Sequence, residues 1–134
     1  MRVLVCGQRD FVDQQGLFEV LDFVHALTPI SLIIEGEARG ADTFAREWAI
    51  SRGVEFKPFP ADWDRYHRAA GPIRNRQMLV EGLPDMGLAF YHDPSASKGT
   101  KNMVKQLKQA EVIVCEIVLD RPLGLHSTQE PSGL

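Results

Sequence analysis

The chain has 134 residues, 44% of them hydrophobic and 25% charged, values typical of one globular domain with its own core. Its net charge of −3 gives no basic footprint, so nucleic acid is an unexpected partner, although a local basic patch could bind a single nucleotide. No apolar run approaches the roughly 18 residues of a bilayer-spanning helix. The N-terminal MRVLVCG is too short for a signal peptide, and we expect a cytoplasmic protein.

Strand-like apolar runs alternate five times with segments of helical period. The predicted strands cover residues 3–6, 31–35, 54–60, 85–92 and 111–118. The third belongs on a sheet edge, because Pro58 cannot donate a hydrogen bond to a neighbouring strand. One face of the first helix carries Leu17, Val20, Leu21, Val24 and Leu27, and that of the second carries Phe44, Ala45, Trp48 and Ala49, with Arg46, Glu47 and Arg52 facing away and a stop at Gly53.

This alternation predicts an α/β fold, a single doubly wound parallel sheet of about five strands with helices on both faces. Right-handed crossovers give the strand order 3-2-1-4-5. The domain is predicted over residues 1–118, followed by a flexible tail at 119–134 that is rich in proline, glycine and serine. Since the fourth strand separates the first from the fifth, Cys6 and Cys115 should be too far apart to bond, and they form no CxxC pair that would indicate zinc.

Glycine and polar clusters follow four of the predicted strands, at residues 7–10, 36–42, 60–75 and 92–100. In such folds ligands bind beyond the carboxyl ends of the strands, where the strand order reverses. We therefore expect a ligand site at this one edge of the sheet.

The segment SKGT is the best phosphate candidate. Gly99 allows close approach of backbone to an oxyanion, and Thr100 lies at the start of a helix, where unpaired N–H groups favour an anion. Lys98 adds a positive charge. The alternative is a plain helix cap with a solvated lysine.

The segment EGEARGAD is a poor phosphate cradle, because it carries two glutamates and matches neither a Walker loop nor G-x-G-x-x-G. Gly36 and Gly40 would instead give clearance to a ligand, with Arg39 as the only cation of the loop. Asp42 would cap the following helix or accept a sugar hydroxyl. The alternative is a tight turn capped by Asp42.

Arg74 and Asn75 are predicted in the first turn of a helix that has Pro72 near its start. A cation there opposes the helix dipole, so Arg74 needs an anionic ligand or a partner such as Asp62 or Asp64. These two aspartates with His67 could alternatively suggest a metal, but without a second cluster we predict none.

Gly7, Gln8 and Arg9 follow the central strand and are included in the predicted ligand site. Arg9 would bind a ligand or pair with Asp10 or Asp42.

Aromatic side chains near the same edge have two interpretations each. Trp63 and Tyr66 would stack on a base or cover the core. His92, at the end of the fourth strand, would face the site or lie on the surface.

Taken in order, the segments CGQRDF, IEGEARGADTFA, ADW, AGPIRNRQML and KGTKNMV resemble the SLOG superfamily over about residues 1–118, and most closely its YspA-like branch of bacterial and phage proteins. The resemblance implies a Rossmann-like fold, a nucleotide or nucleotide-derived ligand, and often a homodimer or higher oligomer. We predict no cofactor. By comparison with the lonely-guy phosphoribohydrolases of this superfamily, Gly99 and Thr100 would hold a phosphate. Arg74 would match the catalytic arginine, and the turn at residues 36–42 their glycine-rich turn.

One departure from the lonely-guy enzymes concerns the glutamate three residues after the threonine, which is Met103 here. The nearest acidic candidates are Glu37 and Asp42. We therefore predict a nucleotide-binding protein first. The alternatives are an N-glycosidic-bond hydrolase of nucleoside monophosphates that uses Arg74, Glu37 and Asp42, or an interaction protein with a vestigial pocket.

Overall fold

The computed structural model describes residues 1–122, in which strands and helices alternate. The strands are β1 (Arg2–Gly7), β2 (Leu32–Glu35), β3 (Glu55–Pro58), β4 (Met86–Tyr91) and β5 (Ile113–Val118). The helices are α1 (Gln14–Leu27), α2 (Ala41–Arg52), α3 (Trp63–Tyr66), α4 (Ala70–Gly82) and α5 (Lys98–Gln109), with single 3-10 turns at His67–Ala69 and Pro94–Ala96.

All five strands are parallel and lie in the order β3-β2-β1-β4-β5, which confirms the predicted topology. The chain moves outward from β1 to β3, then crosses back to place β4 on the other side of β1. Val5 lies opposite Leu88 in that central pair. The strand order therefore reverses between β1 and β4, and the loops that follow these two strands open onto the same edge.

Two apolar clusters fill the two faces of the sheet. Val3 and Val5 point into the cluster that contains Leu17 of α1 and Trp48 of α2. Leu4 points into the opposite cluster, between the sheet and helices α4 and α5. Because successive strand residues face opposite sides, a continuous apolar run serves both layers at once, and each fully buried side chain contributes about 1.5–3 kcal/mol.

One predicted strand start and one predicted buried residue are wrong for local reasons. The fifth strand begins at Ile113 rather than 111, because Glu111 takes a left-handed conformation (φ 60°) and the N–H of Val112 donates to Leu107 O as α5 ends. Leu27 was predicted on the buried face of the first helix but is 70% exposed, since it is the last residue of α1. The predicted stop at Gly53 is confirmed by its left-handed cap conformation.

Beyond β5 the chain stays in contact with the domain over the described residues. The N–H of Leu119 donates to Tyr91 O at 2.9 Å, and Arg121 pairs with Asp10 at 3.1 Å. The rest of the predicted tail, residues 123–134, lies outside the described part. Cys6 is buried and Cys115 exposed, and both are free. Every helix within residues 1–122 is too short or too polar to cross a membrane.

Gly40 lies in the tight turn between β2 and α2. It has φ 75° and ψ −123°, and a Cβ there would lie 2.5 Å from the carbonyl oxygen of Gln8. A side chain would be strained by the backbone conformation and would also collide with main chain of the β1–α1 loop. The absence of a side chain at Gly40 thus allows the β2–α2 loop to lie directly against the β1–α1 loop.

We expect Gly40→Ala to reduce the free energy of unfolding by about 2 kcal/mol or more, because strain and a backbone collision add together. Gly53→Ala is the matched control. Gly53 also has a positive φ (68°), but a Cβ there meets no atom within 4 Å, so it should lose only about 1 kcal/mol. Chemical denaturation of both variants measures the difference, and equal losses would contradict the role given to Gly40.

Candidate functional site

The loops after β1, β2 and β4 enclose, with the start of α4, a cleft of about 780 Å³ at the carboxyl edge of the sheet. Most of the predicted ligand residues line it: Gly7, Gln8, Arg9, Arg39, Asp42, Arg74, Asn75, Lys98, Gly99 and Thr100. Gly36 and Glu37 line a second, adjoining cavity, and Gly40 is in the lining of neither. The sequence argument did not include Arg68, Ser97 and Asn102, which also line the cleft.

The start of α5 forms one end of the cleft. Its cap is Ser97, whose hydroxyl donates to Thr100 Oγ1 at 2.6 Å and accepts from the N–H of Thr100 at 3.4 Å. Thr100 is therefore not the cap, and its own hydroxyl proton remains available to a ligand. Lys98 and Gly99 lie in the first turn, where the amides have no intrahelical partner. The helix-cap role in the alternative interpretation of the SKGT segment therefore belongs to Ser97 and not to Thr100.

Arg74 lies in the second turn of α4 rather than the first, because the helix begins at Ala70. Its Nε donates to Asn75 Oδ1 at 3.0 Å, and its Nη1 donates to the carbonyl oxygen of Gly36. Burial lowers the pKa of the guanidinium, and the nearby Asp42 opposes that shift. The expected partner Asp62 instead caps α3 by accepting from Arg65 N.

Asn75 ties α4 to α5. Its Nδ2 donates to Gly99 O at 3.2 Å and to Asn102 Oδ1 at 3.1 Å, and Asn102 Oδ1 also accepts from Gln106 Nε2. Because Asn75 Oδ1 accepts from Arg74, its whole side-chain amide is engaged. Asn75 therefore positions Arg74 and the start of α5. The sequence predicted Asn75 as a residue of the ligand site. It did not predict that Asn75 connects α4 to α5.

Asp42 is buried and organises the loop after β2. Its Oδ2 accepts from the N–H of Gly36 at 2.9 Å and from that of Ala38 at 3.2 Å. It does not cap α2, whose cap position is Gly40. Burial raises the pKa of Asp42 to about 7, although both backbone hydrogen bonds favour the anion.

The two glutamates of this loop differ sharply. Glu35 is fully buried and pairs with Arg46 at 3.1 Å, and its Oε1 accepts from the N–H of Glu37 at 2.6 Å. The prediction that Arg46 faces away is wrong, because it turns back along α2 to neutralise this carboxylate. Glu37 is exposed and takes a left-handed conformation (φ 57°). Of these two glutamates, Glu37 thus presents its carboxylate to solvent.

Gln8 and His92 hold β1 to β4. Gln8 Oε1 accepts from the N–H groups of His92 and Asp93, each at 2.9 Å. His92 Nε2 accepts from the N–H of Val12, and its Nδ1 lies 2.7 Å from Leu119 O. Both ring nitrogens are therefore engaged, and His92 does not line the cleft.

Arg9 lies over the Trp63 ring at 5.6 Å from its centroid, an arrangement that favours a cation–π attraction. Arg9 was predicted either to bind a ligand or to pair with Asp10 or Asp42, and of the second alternative Asp10 pairs with Arg121 instead. Trp63 is 46% exposed and lines the cleft. The position of Trp63 is thus compatible with stacking on a base and incompatible with the alternative role of covering the core.

The cleft is strongly cationic in an acidic chain. Its lining carries two carboxylates, Asp10 and Asp42, against Arg9, Arg39, Arg68, Arg74 and Lys98. Within residues 1–122 no three acidic, histidine or cysteine side chains come together as metal ligands, so Asp62, Asp64 and His67 do not form such a group. The electrostatic character of the site suits an anion.

The fold and this edge site define the class of protein as Rossmann-like α/β. DNA processing protein A (DprA) of Streptococcus pneumoniae has a similar fold, with a TM-score of 0.53 at 15% sequence identity. The likeness covers 85% of this chain, which spans 58% of the DprA chain.

Sequence comparison identifies the family. Residues 1–66 match the model of the YspA, cpYpsA-related SLOG family. The chain is also 33% identical over 119 residues to the Gene 61 protein of Mycobacterium phage D29, covering 84% of this chain and 93% of that protein. The chain belongs to the YspA, cpYpsA-related SLOG family, as the motifs predicted.

Asp42 should give the protein a specific pH dependence. Its pKa is about 7 in the folded protein against 3.8 for the free side chain, so folding takes up a proton between these values. The contribution of Asp42 to the free energy of unfolding therefore decreases as pH rises through that window.

Asp42→Asn keeps an oxygen to accept from Gly36 but cannot titrate. Between pH 4 and pH 8 the wild type should lose about 2–4 kcal/mol of stability relative to this variant. Urea denaturation across pH measures this, with the exposed Asp62→Asn as control. A constant difference between the wild type and Asp42→Asn would show that Asp42 titrates normally.

Proposed function

We propose that this protein binds a nucleotide or nucleotide derivative in the cleft, as a sensor or processing protein. The observation that carries the proposal is the charge of the lining. Five cations face two carboxylates in a chain whose net charge is −3. Such a local reversal of sign raises the concentration of anionic ligands at the cleft. SLOG membership and the DprA-like fold are compatible with a nucleotide-related role.

The phosphate would bind at the start of α5. The first-turn amides, the hydroxyl proton of Thr100 and the ammonium of Lys98 could all donate to its oxygens. A side chain at Gly99 would meet no protein atom within 4 Å, so the space in front of this turn is open to a ligand. This arrangement favours a phosphate over a carboxylate, because several donors converge from different directions.

The sugar and base would extend from there along the cleft. Asp42 accepts both of its backbone hydrogen bonds through Oδ2, which leaves Oδ1 for a sugar hydroxyl. Trp63 offers an aromatic surface for the base at the far wall. Arg74, held by Gly36 and Asn75, would lie between phosphate and base, where its buried charge stabilises an anion.

A panel of nucleotides that includes AMP should reveal the ligand by thermal shift or calorimetry. A ligand at one hundred times its dissociation constant adds about 2.7 kcal/mol to the free energy of unfolding. We expect Thr100→Val to weaken binding about tenfold through loss of one hydrogen bond to a charged group. Gly99→Ala should also weaken binding, by filling the space in front of the turn, while helix stability stays equal or rises slightly.

Lys101→Ala is the control for that experiment, since Lys101 is an exposed cation of α5 outside the cleft lining. It should change affinity little. The assignment of the phosphate to this turn is wrong if the ligand still binds fully to a Thr100→Val, Gly99→Ala double variant. A protein that responds to no nucleotide would favour the third interpretation, an interaction protein with a vestigial pocket.

A second candidate function is hydrolysis of an N-glycosidic bond in a nucleoside monophosphate. The observation that favours it is Asp42, a cleft carboxyl whose pKa of about 7 suits acid–base chemistry at neutral pH. Met103 occupies the place of the glutamate of lonely-guy enzymes and lines the cleft as an apolar side chain. Asp42 would therefore take over support of the sugar cation, or Glu37 from the neighbouring cavity.

If the protein is this hydrolase, free base should appear from a nucleotide monophosphate. Asp42→Asn should then reduce the rate by at least about a hundredfold, the usual range for a general acid or base. Chromatography of the products measures it. The control is Asp62→Asn, because Asp62 only caps α3. Equal loss in both variants, or no base released by the wild type, would contradict this candidate.

The remaining proposals concern assembly and location. We place the protein in the cytoplasm as a homodimer or higher homo-oligomer, in line with its family, without a cofactor and with residues 1–118 as the folded domain. DprA is described as a DNA processing protein, but the acidic charge of this chain favours a small ligand over a nucleic acid. Light scattering would give the oligomeric state.

A further inference from the structure

A second cavity adjoins the cleft, and the mononucleotide proposed above does not occupy it. This side cavity of about 340 Å³ opens between the loop after β2 and the segment after β3. The two spaces share a wall made of Arg9, Ala38, Arg39, Trp63 and Arg74. Since the same side chains face both spaces, a ligand in the cleft lies directly beside the side cavity.

The side cavity is also cationic. Its lining includes three guanidinium groups, those of Arg9, Arg39 and Arg74, against the single carboxylate of Glu37. Within residues 1–122, neither Arg9 nor Arg39 forms a salt bridge, whereas Arg46 and Arg52 each pair with an acidic side chain. Arginines that face a concave space and have no carboxylate partner present their hydrogen-bond donors to a ligand.

These guanidinium groups also repel one another. Arg9 is close enough to lower the pKa of Arg74, in addition to the larger effect of burial. An anion between them would relieve this repulsion and would accept from both. The contact with the Trp63 ring positions the Arg9 guanidinium at the boundary between the two cavities. The hydrogen-bond donors of Arg9 are therefore oriented before a ligand binds.

We propose that the side cavity is a second anion subsite, and that the ligand is a nucleotide carrying a second phosphate linked through a sugar or a pyrophosphate. This inference rests on the proposed function, which supplies the first phosphate at Thr100. The second phosphate lies against Arg9 and Arg39 and shares Arg74 with the cleft. Glu37 limits the subsite to one anionic group, because its carboxylate repels a further negative charge.

Binding of one-phosphate and two-phosphate probes tests the subsite. The probes are AMP, ADP-ribose and 5′-phosphorylated diadenylate, measured by calorimetry. At least one two-phosphate probe should bind wild type about tenfold more tightly than AMP. Arg39→Ala and Arg9→Ala should each weaken binding of that probe about tenfold, as expected for loss of one charge-assisted hydrogen bond. Both variants should weaken AMP binding by a clearly smaller factor, because AMP loses only the general attraction of one cation in the cleft lining.

Arg76→Ala is the matched control, since it removes an exposed cation of α4 outside both linings. It should leave all affinities unchanged. Arg9 and Arg39 are exposed, so their variants should keep the wild-type melting temperature. Tryptophan fluorescence adds a second readout, because the chain has two tryptophans and Trp48 is fully buried. A two-phosphate probe should therefore alter the emission of Trp63, and Trp63→Phe should abolish that change.

The outcomes separate the two proposals. If AMP binds through Thr100 but two-phosphate probes bind no more tightly, the second subsite is wrong and the proposed function stands. The same holds if Arg9→Ala and Arg39→Ala weaken AMP as much as the larger probes, since that indicates only a general effect of charge. If no probe binds to wild type, both proposals fail.

Discussion

The hydrogen bond from Arg74 to the carbonyl oxygen of Gly36 is the contact on which the site depends. It joins the second turn of α4 to the residue that follows β2. Gly36 makes this approach feasible, because a Cβ there would lie 2.5 Å from the guanidinium. The glycine therefore serves a side chain of this protein, and the clearance first assigned to a ligand belongs to Arg74.

A guanidinium brought this far inward has to be compensated. Its Nε donates to Asn75, and the carboxylate of Asp42 lies close enough to favour the charged form. Asp42 in turn accepts from the N–H groups of Gly36 and Ala38 and so holds the loop that carries the Gly36 carbonyl. The side chains of Arg74, Asn75 and Asp42 therefore hold one another and the Gly36 backbone in place. These polar contacts make this wall of the cleft rigid.

The sequence sufficed for the parts of the fold that follow from local pattern. Alternating apolar runs and helical periods predicted the strand order, and Gly53 marked a helix end because one residue's conformation decides it. Failures arose where a side chain chooses between distant partners. Arg46 turns toward buried Glu35, and His92 bonds to Val12. Neither choice is visible in residue spacing, because both partners come from other elements.

The candidate site shows the same division. Its location followed from topology, since loops at the carboxyl ends of parallel strands must meet. The roles within it did not, because Ser97 and Thr100 could each cap α5 and only the geometry assigns the cap to Ser97. The cleft also contains charged side chains whose charge is not neutralised by another residue of the described chain. The cations Arg9, Arg39 and Lys98 line the cleft without a salt bridge inside residues 1–122. Five cations set against two carboxylates, in a chain of net charge −3, are the feature that supports the proposed anion site.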